Sequence, residues 1–495
     1  MSMPRNSAIF SAVLAVVAVS AQASPDGPAL YREHCAACHG VDRLGGTGPA
    51  LLPENLGRLK PEAAAKIIAA GRPASQMAGF ADRLGQDDIA ALAKLIYAPI
   101  PVPEWGEKEI TASRIVHTEL AALPRRPVHA ADPLNLFTVV EIGDHHVTIL
   151  DGDRFEPIWR FPSRFALHGG AKYSPDGRFV YLASRDGWVA KYDLYGLVPV
   201  AEARVAVNTR NIAVSSDGRY LIAGNGLPPT LAILDAEDFT VLKVIAVKGD
   251  KDAVSRISAV YDAAPRQSFI VALRDIPEIW EVPYADNTLS IRRIRLEESI
   301  DDFFFDPPYA HLIGASRDGG RGQVIDLDAG RKIADVALPG MPHLGSGISF
   351  AHEGRPVLAT PHLKEGAVSI VDMTNWQTIK RIATAGPGFF MRSHENTPYA
   401  WTDSFLSPAK DKLQVIDKRT LEIVRTVVPA PGRTAAHVEF TRDGRYVLAS
   451  VWEDDGALVV YDAATFAEVK RLPMKKPSGK YNVHNKITRS AGTSH

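Results

Sequence analysis

A short alternating segment that ends in an aspartate in seven of its eight copies recurs along this chain, and the recurrence restricts the fold more than any other feature. The copies are Val147–Asp151, Val189–Asp193, Leu231–Asp235, Ile279–Val282, Gln323–Asp326, Val368–Asp372, Leu413–Asp417 and Leu458–Asp462, spaced by 42 to 47 residues. Several are preceded by an Asp-Gly pair between alternating runs, as at Asp176-Gly177, Asp217-Gly218 and Asp443-Gly444, which is a hairpin signal. A four-stranded unit of this period is a propeller blade, so the repeat predicts an all-β, eight-bladed β-propeller. Alternation of period two excludes an α-solenoid of similar repeat length.

Upstream lies a second constraint, His34-Cys35-Ala36-Ala37-Cys38-His39-Gly40. Two cysteines two residues apart followed by histidine are the attachment pattern of a c-type haem. Each thiol adds across a porphyrin vinyl group, and His39 is left beneath the iron as an axial ligand. A zinc site would need a second pair of ligands, and a redox dithiol would need a βαβ setting. Neither is present.

Around the motif the pattern is helical. Gly27–Cys38 delivers the cysteines, Pro61 opens a run of alanines and isoleucines stopped by Gly71, and Asp87-Asp88 precede the stripe Ile89, Leu92, Leu95 and Ile96. The Gly/Pro-rich loop Gly45–Pro49 suits chain that wraps a flat macrocycle. Met77 stands alone between the signal and the linker in an irregular segment, which makes it the expected sixth ligand; a thioether filling the core is the plainer reading. His34 lies too close to the attachment site to reach the opposite face of the ring.

Residues 1–23 combine Arg5, an apolar run from Ala8 to Val19 and Ala21-Gln22-Ala23, the pattern of a secretory signal peptide too short to span a bilayer. Export agrees with c-type haem, and the expected compartment is the periplasm. The expected order is signal peptide 1–23, an all-α class I cytochrome c domain 24–100, a linker 101–129 begun by Pro99, Pro101 and Pro103, and the propeller 130–495. A formal net charge of −1 points away from nucleic acid and anionic membranes. Both cysteines of the chain belong to the haem motif, so no disulfide is expected.

Histidines fall in predicted blade loops at His168, His343, His362, His394 and His437. Glycines flanking His168 and His343 would let backbone approach a ligand closely. On residue types alone the reading ends at a propeller with a metal or haem site.

Taken together, CAACH, the eightfold repeat, FALHGGAKYSPDGRFVYLASRDG, VNTRNIAVSSDGRYLIAG, MPHLGSGISF, TPHLKEGAVSIVD and the tail Ser478–Asn485 resemble the cytochrome cd1 nitrite reductase family over nearly the whole mature chain. The resemblance implies that His168 is the proximal ligand of haem d1, that His343 is one of two distal histidines, and that Arg185 and Arg210 hold the carboxylates of haem d1. Two positions depart from the reductases. Asp301-Asp302-Phe303-Phe304-Phe305-Asp306 replaces the segment with the other distal histidine, and His437 replaces a glutamine in the last blade.

These departures put nitrite reduction in doubt and resemble the branch of the family that oxidises dihydro-haem d1 during haem d1 biosynthesis. The expectation is that dihydro-haem d1 binds in the funnel with His168 or His343 on its iron. His437 would be the general base, and Tyr481 would orient the side chain or relay the second proton. Electrons would leave through haem c to a soluble acceptor, with the nitrite reductase or the d1-binding assembly protein as further partners and no membrane span. A cd1-type nitrite reductase and a non-catalytic haem d1 carrier are the alternatives.

Overall fold

The computed structural model describes residues 1, 25–46, 48–57, 59–71, 77–167, 170–316, 320–489 and 491–492. Apart from Met1, the expected signal peptide lies outside the described residues, as does His168.

Among the described residues the strands form eight sheets, each of four strands or more, and in two of them one strand comes from elsewhere in the chain. One of these two closes the ring. Pro477–Asn482, from the end of the chain, pairs antiparallel with Leu136–Glu141 from the start and becomes the innermost strand of blade one. The repeat read from the sequence is the third strand of each blade, where the terminal aspartate accepts backbone N–H groups of the following turn; Asp151 takes Asp153 N at 2.8 Å, and Asp372 takes Thr374 N at 2.8 Å. Apolar alternate residues of neighbouring sheets meet between blades, as where Val189 and Val200 of blade two pack on Leu221 and Leu234 of blade three.

Closure is reinforced by polar contacts. Asn482 is fully buried, donates to Asn135 Oδ1 at 3.0 Å and accepts Asn485 N–H at 3.2 Å, capping the short helix Val483–Thr488.

The small domain contains Gly27–His34, Ala36–His39, Pro61–Ala70 and Gln86–Ile96. The first helix breaks at Cys35, whose φ of −119° departs from helical geometry. Pro61 and Gly71 bound the third helix as expected, with Gly71 at φ 72°. Tyr31, Ala64, Ile68, Leu92 and Ile96 form the core, with Met77 and Phe80 packed at its edge.

Residues 101–129, expected to run as a linker, carry helix Glu107–Ser113 and strand Ile115–Val116, which adds a fifth strand to the outer edge of blade two. Buried Ile110 joins the apolar layer between blades two and three, and this burial draws the segment onto the wheel.

Replacing Asn482 with alanine removes a cap and leaves Asn135 short of a buried partner. The expected loss is about 2 kcal/mol of propeller stability, read as a lower urea midpoint while the absorbance of attached haem c stays unchanged.

Candidate haem centres

In the small domain His39 is buried and its Nδ1–H donates to the Pro49 carbonyl at 2.8 Å. That bond settles the tautomer and leaves Nε2 with the lone pair that an iron ion takes. Pro49 closes the glycine-rich loop, and Gly48 lies so close that a Cβ there would stand 2.8 Å from His39 Cε1. Cys35 is half-buried and Cys38 exposed, both as free thiols, so the donor set fits a covalently attached haem c. His34 stacks on Phe80 at 6.0 Å between ring centres, on the helix flank. Among the described residues no three or more His, Cys, Asp or Glu side chains cluster around one metal position.

The same loop docks on the wheel. Ala50 and Leu52 pack against Val207 and Leu227, Asn55 Nδ2 donates to Asp186 Oδ1 at 3.1 Å and to the Val207 carbonyl at 3.2 Å, and Arg204 donates to the Leu44 carbonyl. Asp186 directly follows Arg185, and Val207 lies three residues before Arg210. The small domain therefore rests on the loops that carry both arginines.

Successive blades set their innermost strands parallel, so the first residues of those strands gather at one mouth of the wheel. Arg210 opens Asn208–Val214, Asp302 opens Asp302–Phe305, His343 precedes Ile348–His352, and Phe389-Phe390 precede Met391–Ser393. Arg185 sits in the turn between the second and third strands of blade two, at the same end. Thr209 N–H donates to the Arg185 carbonyl at 3.2 Å, which ties the arginine segments together across two blades, and Arg210 Nε donates to the Ser258 carbonyl at 2.7 Å. Both side chains are half-buried.

His343 is also half-buried. Its Nδ1–H donates to the Phe389 carbonyl at 2.7 Å and its ring lies 3.9 Å from that of Phe389, so Nε2 is left as an acceptor or ligand. Burial lowers its pKa and the nearby Asp302 carboxylate works against that shift. Asp302 accepts Tyr261 O–H at 2.8 Å and Gly345 N–H at 2.9 Å. Gly345 makes this packing possible: a Cβ there would fall 2.2 Å from Asp302 Oδ2.

His437 departs from its expected loop position. It lies inside strand Ala435–Phe440, where the register with the next strand shifts between Ala436 and Val438, and its φ is 47°. A bulge turns one strand residue off the pleat. The ring packs on Phe390 and Tyr481 at 4.6 and 5.3 Å, is 1% exposed, and leaves Nε2 without a hydrogen-bond partner. Burial, then the cations Lys480, Arg392 and Lys486, hold its pKa well below the histidine range. Burial pushes the Tyr481 phenol up to about 12, so it stays protonated.

Two other histidines are structural. His394 Nε2–H donates to the Arg442 carbonyl at 3.1 Å while Nδ1 accepts Asn396 N–H at 3.1 Å, and His362 Nε2 meets Ser369 Oγ at 2.8 Å.

An axial cavity of about 540 Å³ lies along the far ends of the inner strands, lined by Lys172, Tyr261, Asp262, Phe305 and Lys486 rather than by His343 or His437. Residue types alone did not single out Asp403, Lys480 or Phe389. Lys480, a lysine between glycine and tyrosine on a strand with buried neighbours, was the available signal.

The Cytochrome D1 heme domain model matches residues 131–486, and that of Cytochrome C oxidase, cbb3-type, subunit III, matches residues 22–96. The chain belongs to the cytochrome D1 heme domain family. It is 58% identical to dihydro-heme d1 dehydrogenase of Pseudomonas aeruginosa over 95% of this chain and 96% of that protein. Nitrite reductase of Stutzerimonas stutzeri is 26% identical over 92% of each chain, and protein NirF of P. aeruginosa 29% identical over 71% of this chain and 91% of its own. The solved structure of dihydro-heme d1 dehydrogenase NirN in complex with DHE superposes with a TM-score of 0.92, covering 93% of this chain and 99% of that one. Family membership agrees with the expected cytochrome c domain and eight-bladed propeller. Among the described residues no helix is long and apolar enough to cross a membrane.

Replacing Gly345 with alanine forces the Asp302 carboxylate off the Gly345 amide and loosens the loop behind His343. The expected result is a loss of about 1–3 kcal/mol in stability and weaker haem d1 binding, measured by thermal melting and by titration of the d1 absorption bands.

Proposed function

We propose that this chain is a periplasmic dehydrogenase that oxidises dihydro-haem d1 to haem d1, converting a propionate side chain to an acrylate. The observation that carries the reading is the His437 Nε2, buried, neutral and without a partner beside Tyr481, on a ring that shares Phe390 with His343. A high-identity relative named for this activity supports it.

The residues divide the work. Arg185 and Arg210 present guanidinium groups to the substrate carboxylates. Either His343, its tautomer held by the Phe389 carbonyl so that Nε2 is available, or His168, by family resemblance, would ligate the iron. Two C–H bonds of the propionate break and one C=C bond forms, releasing two protons and two electrons. His437 Nε2 takes one proton. Tyr481, kept as the phenol, orients the side chain or passes on the second.

Cys35, Cys38, His39 and Met77 would hold haem c, which would supply a one-electron acceptor between substrate and a soluble partner. The docked loop Leu44–Asn55 keeps this centre beside the arginine-bearing blades. Segment 1–23 as a secretory signal and the c-type attachment motif support the periplasm. The nitrite reductase that uses haem d1, or the d1-binding assembly protein, is the expected recipient of product.

Incubation with dihydro-haem d1 and an oxidant should produce the haem d1 spectrum. Binding without conversion would indicate a carrier, and nitric oxide formed from nitrite would indicate a reductase. The variant His437→Ala should bind the substrate yet lose conversion by about 10²-fold or more; turnover near the parent rate would remove its role as base.

A pH series gives an independent check. Since His437 is depressed below the ordinary value, its neutral base form persists as pH falls. Burial pushes Asp403, which holds the His437 N–H, up to about 7, so the check is made in Asp403→Asn: its residual conversion within the preformed complex should stay level from about pH 8 to about pH 6. An acid limb centred on the free-histidine value of about 6.5 in that variant would contradict it.

A further inference from the structure

His437 is a non-glycine residue in the left-handed region, at φ 47°, a strained conformation that persists only where surroundings over-determine it. Both ends of its peptide unit are held by buried ionisable side chains. On one side its N–H donates to Asp403 Oδ2 at 3.2 Å; on the other its carbonyl accepts from Lys480 Nζ, which also stands 3.4 Å from Nδ1. Asp403 is 2% exposed and Lys480 fully buried.

The same carboxylate reaches the second histidine. Asp403 Oδ1 accepts Phe389 N–H at 2.7 Å and Phe390 N–H at 3.3 Å, and the Phe389 carbonyl is the acceptor that holds His343 Nδ1–H at 2.7 Å. One carboxylate on blade seven thus links the loop that orients His343 to the bulge that carries His437. Lys480, on the closing strand of blade one, pins that bulge from its other side.

We propose that Asp403 and Lys480 are positioning residues for the dehydrogenation, acting as a clamp on the His437 main chain that sets its ring against His343. Neither touches the ligand in this role. Burying a carboxylate and an amine costs folding energy that apolar side chains of similar volume would not. The arrangement is one in which the cost maintains geometry, since a ring displaced by about 1 Å loses its reach to a bound C–H group.

The proposal rests on His437 being the base, so its test includes a readout that needs no turnover. In Asp403→Asn the amide oxygen can still accept Phe389 N–H, whereas the nitrogen facing His437 N–H cannot accept. Hydrogen exchange, measured on protein carrying haem c and no d1 group, should quicken in the peptide covering 437, stay near the parent rate at 389, where the amide oxygen still accepts, and stay unchanged in the other blades. With dihydro-haem d1, kcat should fall about tenfold or more while KM stays within about threefold.

Lys480→Met fills the same buried volume but removes, with the donor to the carbonyl, the contact to Nδ1 and the charge beside the ring; its exchange at 437 reads the clamp apart from those effects and decides the question if Asp403→Asn does not fold. Parent-like exchange at 437 in a folded variant, or parent-like kcat in both, overturns the clamp. Should the parent protein fail to convert dihydro-haem d1, the proposed function falls, and local exchange alone still decides whether the clamp exists.

Discussion

Everything at the mouth of the wheel depends on the pairing of strand Pro477–Asn482 with Leu136–Glu141. A propeller that closes with strands from both chain ends leaves no sheet edge at the seam and joins residues more than 300 positions apart. Here the closing strand also carries Lys480 and Tyr481, which lie next to His437 of blade eight. Stability of the seam and geometry of the site are one problem, and buried Asn482 and Asn135 serve both.

Desolvation governs the chemistry that this seam assembles. Burial raises Asp403 to about 7 against three backbone donors and lowers both Lys480 and His437. In water an imidazole would be partly protonated near neutrality, whereas here the cationic form has no solvent and several positive neighbours. The outcome is a neutral imidazole whose unpartnered nitrogen is already stripped of water, the state that the proposed base would need.

The small domain solves a different problem. Its glycine-rich loop holds His39 through Pro49 and, a few residues later, sends Leu52 and Asn55 into blades two and three. A fully buried leucine contributes about 2 kcal/mol, and Asn55 adds directional bonds to Asp186 and Val207. The segment that shapes the haem c pocket is therefore also the one that docks beside Arg185 and Arg210, giving the two centres a fixed mutual arrangement.

The linear order of residues determined the wheel, its number of blades and the haem-bearing helices, because period-two alternation, Asp-Gly turns and CxxCH are local patterns that each act over a few residues. Helix bounds at Pro61 and Gly71 followed for the same reason. The family resemblance pointed to Arg185, Arg210, His343 and His437, and the fold gathers them at one mouth. Local patterns could not show that His437 sits on a bulge inside a strand, that Gly345 makes room for Asp302, or that residues 101–129 fold onto blade two. Nor could they show Asp403 and Lys480, which are ordinary polar residues until blades seven, eight and one converge. Those features arise where separate sheets meet and exclude water, so only the tertiary structure decided them.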